Sequence, residues 1–165
     1  MRSEEFQRIV TEYADIVYRV AFSYTKTSHD AEDVVQMTFM KLLTGKVTFM
    51  DEEHIRRWLI RVAVNECNRM WSSFWRRNVE FLDDSEGPEF SGAADVVQEK
   101  SELYYAVLKL PPKCRIVIHL FYYEEYSSKE IAELLHIREA TVRTRLVRAR
   151  KLLKQQLKEE WKDEE

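Results

Sequence analysis

The side chains with most to offer chemically fall in three places along this chain. Near its end, Ala140, Thr141, Arg143, Thr144, Val147 and Arg148 recur at helical spacing and would share the first turns of one helix. Arginine can hold a guanine edge through two hydrogen bonds, and threonine or valine can touch a thymine methyl, so this face suits the major groove of duplex DNA. Arg150, Lys151 and Lys154, farther along, suit phosphate, which adds affinity without sequence information. The plain alternative is a solvated basic face.

The second place is RWLIRVAVNECNRMWSSFWRRN, residues 57–78, where arginines alternate with tryptophans and two asparagines. Unpaired bases stack on indole rings while guanidinium groups hold the backbone, at about 1–3 kcal/mol per stacked base. Trp58 shares a stripe with Ile55, Leu59 and Val62 and is expected in the core, and Trp71, Phe74 and Trp75 at i, i+3 and i+4 equally fit a packed edge. Asn65 and Asn68 offer amides for a base edge. The third place is HDAEDVVQMTF, residues 29–39, where His29, Glu32 and Asp33 would approach one another on a helix. No HExxH or second ExxH completes a ligand shell, so the expectation is an acidic first turn favoured by the helix dipole, leaving an acidic surface for a basic partner. There is no glycine-rich phosphate loop, nucleophile elbow or plausible triad, and the histidines at 29, 54, 119 and 136 are scattered. No enzyme, metal or cofactor is expected.

These residues need helices to carry them, and the apolar period supplies helices throughout. Phe6, Ile9, Val10, Tyr13, Ile16, Val17, Val20, Ala21 and Tyr24 mark the first. A second starts after Thr27 and Ser28, turns Ala31, Val35, Phe39 and Leu42 inward, and ends at Gly45, expected as a left-handed cap. A third runs from about Asp51 towards Trp75. In the second half, residues 103–110 form a helix stopped by Pro111 and Pro112, and 115–123 the next. Ser127 with Glu130 three residues on makes a capping box that starts a short helix through Leu135. After a turn at His136, Ile137 and Arg138, the last helix runs from Glu139 to about Lys158 with Val142, Leu146, Ala149 and Leu153 on its apolar side. A capped helix, a short turn and a basic helix make a helix-turn-helix.

The chain has 165 residues, 33% of them charged, with only 3 Gly and 3 Pro, a composition suited to an all-α protein. Its net charge of −3 hides a segregation. Residues 56–78 carry net +5 and residues 127–158 net +6, whereas 79–102 hold eight acids against one lysine. Residues 81–95 also gather two of the three glycines and no apolar period, and read as a linker. Two small helical domains joined by an acidic flexible linker follow, with boundaries at 1–78, 79–100 and 101–160, each half presenting a separate phosphate-facing surface. Cys67 and Cys114 have no paired spacing and are expected as buried, reduced thiols. No run of about 18 apolar residues spans a membrane and no signal peptide is legible, so a soluble cytoplasmic protein is expected.

In that arrangement the chain resembles the extracytoplasmic-function (ECF) type of alternative sigma factor, of the sigma-70 family. DAEDVVQMTFMKLL resembles its polymerase-binding helix, WLIRVAVNECNRMW its helix for the melted minus-10 element, and LPPKCRIVIHLFYYEEYSSKEIAELLHIREATVRTRLVRARKLL its minus-35 domain. The resemblance implies promoter-specific transcription initiation with core RNA polymerase and promoter DNA, duplex and single-stranded, as partners. Asp33, Gln36, Met37 and Met40 would meet the polymerase clamp helices, and the second domain its flap. Lys46, Phe49, Asn65, Asn68, Arg69 and Trp71 would lie against the separated minus-10 strand. Arg143, Thr144, Val147 and Arg148, with Thr141, would face the minus-35 groove, and Ser127, Lys129 and Arg138 would approach phosphate. An anti-sigma factor is a further implied partner and the only implied link to a membrane.

Three positions depart from the family pattern. Met37 stands where an acid is usual, which makes that part of the interface apolar. His136 stands where glycine is usual, at a cost of about 1 kcal/mol if the left-handed backbone is kept. Arg138 replaces a serine cap. The alternative from pattern alone is a stand-alone helix-turn-helix regulator with a dimerising or sensing first half.

Overall fold

The computed structural model describes residues 1–77 and 101–163, with side chains described over 1–73 and 101–158. The expected linker at 79–100, and the side chains of Phe74 and Trp75, lie outside the described residues. The described residues are helical and contain no strand.

The first half is a three-helix arrangement. Helix α1, Ser3–Thr25, buries Ile9, Ile16, Val17, Val20, Ala21 and Tyr24, the stripe its periodicity marks. It ends at Lys26, whose φ of 71° is left-handed and whose N–H reaches Phe22 O. Helix α2, Ser28–Thr44, starts at Thr27, whose side chain accepts from the Asp30 N–H at 3.0 Å. Its buried residues are Ala31, Val34, Thr38, Phe39 and Leu42, so Val34 and Thr38 take the depth expected of the half-buried Val35. The Thr38 hydroxyl donates to Val34 O at 2.7 Å, and with that satisfied it packs as an apolar group. Helix α3, Glu52–Arg77, is capped by Asp51, whose carboxylate accepts from the His54 N–H at 2.8 Å. It buries Ile55, Leu59, Ile60, Ala63, Val64 and Cys67 against α1 and α2.

Gly45 is not a left-handed cap. Its φ of −82° and ψ of 160° are extended, and a Cβ there would meet Lys41 O at 2.7 Å. Glycine ends α2 because the backbones approach too closely for any side chain.

The second half opens with α4, Glu102–Leu108, capped by Ser101, and α5, Pro112–Ile118, with proline in its first turn where no N–H is needed. A π-helical turn, His119–Tyr123, continues α5, one residue wider per turn than the expected regular helix. That extra residue swings Glu124 inward, where it is 5% exposed. Helix α6, Ser128–Leu135, has the expected capping box: Ser127 Oγ accepts from the Glu130 N–H and Glu130 accepts from the Ser127 N–H, both at 3.1 Å. Helix α7, Glu139–Asp163, buries Val142, Leu146 and Ala149 against α5 and α6 and runs past the expected end near 158.

The two halves touch. Helix α1 packs on α5, and α3 on α6, within one continuous apolar cluster.

Candidate nucleic-acid interface

On the helix-turn-helix, the capping box fixes the direction of α6 and His136 turns the chain into α7. His136 keeps the left-handed backbone, φ 55° and ψ 47°, and its N–H closes α6 on Ala132 O. Beyond the turn Arg143, Thr144, Val147 and Arg148 are exposed and Thr141 half-buried, so the expected groove face is assembled and open. Arg143 is held by Glu139 one turn back at 2.9 Å, and the Thr144 hydroxyl donates to Ala140 O at 2.9 Å. Ser127, Lys129 and Arg138 are exposed at the near edge, the latter two lining a shallow open groove with Glu133 and His136. Arg150 is committed elsewhere: it donates to the Tyr122 hydroxyl at 2.8 Å and stacks over the Phe121 and Tyr122 rings. Lys151 and Lys154 stay exposed.

The strand-binding candidates of the first half are brought to one side unevenly. Lys46, Asn65 and Arg69 are exposed. Arg69 lies 3.6 Å from the buried carboxylate of Glu66, which also pairs with Lys41 at 2.5 Å. Phe49 is half-buried edge-on to Trp58 and His54. Asn68 is exposed, but its carbonyl accepts from the Tyr24 hydroxyl at 2.5 Å, and the half-buried Trp71 ring packs edge-on to Tyr24. Burial pushes the Tyr24 hydroxyl up to about 12, so it remains a donor near neutral pH. Two of the six candidates are thereby positioned by α1 rather than free on the surface.

A third face lies on α2, where Asp33, Gln36, Met37 and Met40 are exposed together, with Leu43 continuing the apolar strip. At the start of the same helix His29 gathers with Asp30 and Asp33, not with Glu32 as the spacing suggested. His29 Nδ1 is 3.8 Å and 3.5 Å from those carboxylates and 86% exposed, which makes the group a surface turn. Both cysteines are buried and unpaired with each other, and burial raises both thiols.

Sequence reasoning missed the residues that join the halves. Arg115 is 4% exposed and its guanidinium donates to Ser23 O, Tyr24 O and Leu110 O, each at 2.7 Å, and to Leu108 O at 3.4 Å. The last carbonyls of α1 have no intrahelical partner and carry the negative end of the helix dipole, and α1 has no basic residue in its own last turn, so Arg115 caps it from the other half. Burial lowers the Arg115 pKa to about 10, still charged near neutral pH. Glu124 meets His119 at 3.1 Å, Arg19 at 3.5 Å and Arg56 at 3.6 Å. Burial alone would raise its pKa, but the His119 hydrogen bond and the nearby cations outweigh it and hold the carboxyl below its ordinary range. On α3, Arg57 pairs with Glu53 and with Glu130 and lies 3.8 Å from Glu133, while Arg61 Nη2 is 3.2 Å from His136 Nδ1. Tyr126 donates to Glu53 at 3.1 Å beneath the Arg56 guanidinium. The one signal in the sequence was an arginine inside the apolar run CRIVIHLF.

Comparison with known proteins agrees with this layout. Residues 9–77 match the family model for sigma-70 region 2, and residues 100–153 that for sigma-70 region 4. The chain is 32% identical over 155 residues to the RNA polymerase sigma factor SigV of Bacillus subtilis, covering 92% of this chain and 90% of that one. It is 30% identical over 173 residues to the ECF RNA polymerase sigma factor SigW of the same organism, covering 94% and 90%. Among solved structures, the sigma factor RpoE in complex with the anti-sigma factor NepR from Bartonella quintana aligns with a TM-score of 0.71 at 22% identity, over 94% of this chain and 98% of that one.

Proposed function

The chain belongs to the extracytoplasmic-function group of sigma-70 RNA polymerase sigma factors, and from that premise we propose a division of labour among its three faces. Asp33, Gln36, Met37 and Met40 on α2 dock on the clamp helices of core polymerase, the methionines through apolar contact and Asp33 through charge. Lys46, Phe49, Asn65, Asn68, Arg69 and Trp71 receive the separated minus-10 strand. Arg143, Thr144, Val147 and Arg148, flanked by Thr141, read the minus-35 groove, with Ser127, Lys129 and Arg138 against phosphate. Residues 1–78 and 101–160 are the two working units and 79–100 the tether. The second unit also meets the polymerase flap, and an anti-sigma factor holds the protein in reserve in the cytoplasm.

The reading is carried by one observation: a capping-box helix-turn-helix with an open Arg143, Thr144, Val147 and Arg148 face lies in the same chain as an α2 face that leaves Met37 and Met40 exposed. No covalent step is required. Duplex opening is a binding equilibrium in which contacts to the unpaired strand lower the free energy of the melted state. The test is reconstitution: full-length protein with core polymerase gives promoter-specific transcripts, and the two co-elute at low salt. Failure to co-elute, together with tight duplex binding in the absence of polymerase, overturns the reading in favour of a stand-alone regulator.

A further inference from the structure

Asn68 is exposed on α3, yet one end of its amide is already taken. Its Oδ1 accepts at 2.5 Å from the hydroxyl of Tyr24, a residue only 5% exposed. Tyr24 is itself fixed at both ends. Its backbone carbonyl and that of Ser23 each accept from Arg115 at 2.7 Å, and its ring packs edge-on to Trp71 with centroids 6.3 Å apart. A ring held in this way keeps its hydroxyl at one place beneath α3.

That hydroxyl decides which way the amide faces. A buried donor without an acceptor is costly, so the tyrosine proton must be placed, and Asn68 Oδ1 takes it. With the amide reversed, Nδ2–H would point at the hydroxyl oxygen and the proton would have no acceptor among the described residues. The raised pKa of Tyr24 keeps the proton in place near neutral pH. An exposed asparagine ordinarily turns its amide to suit its partner, and its usual base is adenine, which offers an acceptor and a donor side by side. At Asn68 the oxygen is drawn inward and the amino group remains for a partner outside. Asn65, one turn earlier and also exposed, has no side-chain partner among the described residues and keeps both options.

We infer that Tyr24 is a positioning residue that sets base specificity: by holding the Asn68 oxygen from beneath, it makes Asn68 a donor, matched to an unpaired base that carries a carbonyl oxygen. Cytosine, thymine and guanine each carry one. Adenine does not, and the amino group beside its ring nitrogens would face the Asn68 amino group donor to donor. The position that Asn68 meets therefore discriminates against adenine, the reverse of what asparagine usually selects. This inference rests on the reading of Asn68 as part of the strand-binding surface.

The test is a selection by the full chain bound to core polymerase, from a DNA library in which a duplex runs into a single-stranded stretch and both are randomised. Asn68→Ala marks the position, as the one whose base preference it flattens. There the wild type should deplete adenine about fivefold against the other three bases, the worth of one hydrogen bond. Tyr24→Phe keeps the ring and removes the hydroxyl, which frees the amide to turn. It should bring adenine back to parity and leave the preferences at other positions as in wild type. Asn68→Asp keeps Tyr24 and exchanges the outward amino group for an oxygen, so the depleted base should become thymine, which has no exocyclic amino group. That variant carries the test even where Tyr24→Phe fails to fold. Adenine enriched by the wild type overturns the inference, as does a depletion of adenine that persists in Tyr24→Phe or in Asn68→Asp. So does an Asn68→Ala selection that matches wild type at every position. A wild type that does not hold core polymerase, or selects no sequence at all, overturns the sigma reading and this inference with it, an outcome distinct from the others.

Discussion

Replacing Arg115 with methionine keeps most of the buried volume and removes the guanidinium. Four carbonyls lose a charged donor: Ser23 and Tyr24 on α1, and Leu108 and Leu110 in the second half. At about 1.5 kcal/mol for each bond to a charged group the gross loss is about 6 kcal/mol. Against this stands relief from burying a cation, a burden visible in the lowering of its pKa to about 10 and amounting to a few kcal/mol. The difference predicts a net loss of about 3 kcal/mol, within the range for breaking a buried polar network. Urea denaturation followed by circular dichroism measures it directly, and a thermal melt should fall by about 6–12 °C. Arg115→Lys, a point charge with three donors, should recover about half of the loss. A methionine variant within about 1 kcal/mol of wild type would refute the reasoning, because it would mean that the four carbonyls are hydrated without the arginine.

Gly45→Ala should destabilise the protein by about 1–2 kcal/mol in the same denaturation assay, since the added Cβ meets backbone oxygen of Lys41 at 2.7 Å and cannot simply rotate away. Arg143→Ala should cost about 1–3 kcal/mol on the preferred upstream sequence and little on unrelated duplex, whereas Lys154→Ala should weaken both alike and flatten the salt dependence; titration of labelled duplexes at several salt concentrations separates the two. Glu124 and Glu130 are both held below the ordinary carboxylate range, so they add stability above that range and lose it as pH falls through their lowered values. Wild type should therefore lose stability on acidification more steeply than Glu124→Gln, as read from melts between about pH 6 and pH 3.

Local rules were legible wherever a residue answered only to its neighbours in sequence. The α1 stripe follows from a period of three and four, and the Ser127 to Glu130 box from two residue types at fixed spacing; both are as expected. The left-handed backbone at His136 was also foreseen. What was not legible depends on distant parts of the chain. Gly45 reads as a left-handed cap because glycine usually ends helices that way, but here it answers to the Lys41 carbonyl and keeps an extended backbone. Thr38 reads as polar until its hydroxyl is seen to be spent on Val34 O. The π-helical turn at His119–Tyr123 shifts the register by one residue, and no composition signal marks it, yet it is what sends Glu124 inward towards Arg19 and Arg56. Arg115 is legible only as an arginine inside an apolar run, and its part as a cap appears once α1 supplies the carbonyls.

The cost of removing Arg115 and the cost of parting the halves are different quantities. Mutation strips the donor while the carbonyls stay buried, so each acceptor loses its partner with nothing in exchange. Separation exposes Ser23 O, Tyr24 O and the guanidinium together, and water replaces each bond, leaving a net cost of about 0.5–1.5 kcal/mol per bond. The buried charge is also rehydrated, which offsets part of that cost. Contacts at α3 add only the modest worth of part-exposed pairs. A joint that is expensive to mutate can thus be inexpensive to open. The excess of arginine on α3 attracts the acids of α6, so the segregation of charge along the chain is itself part of what holds the halves together.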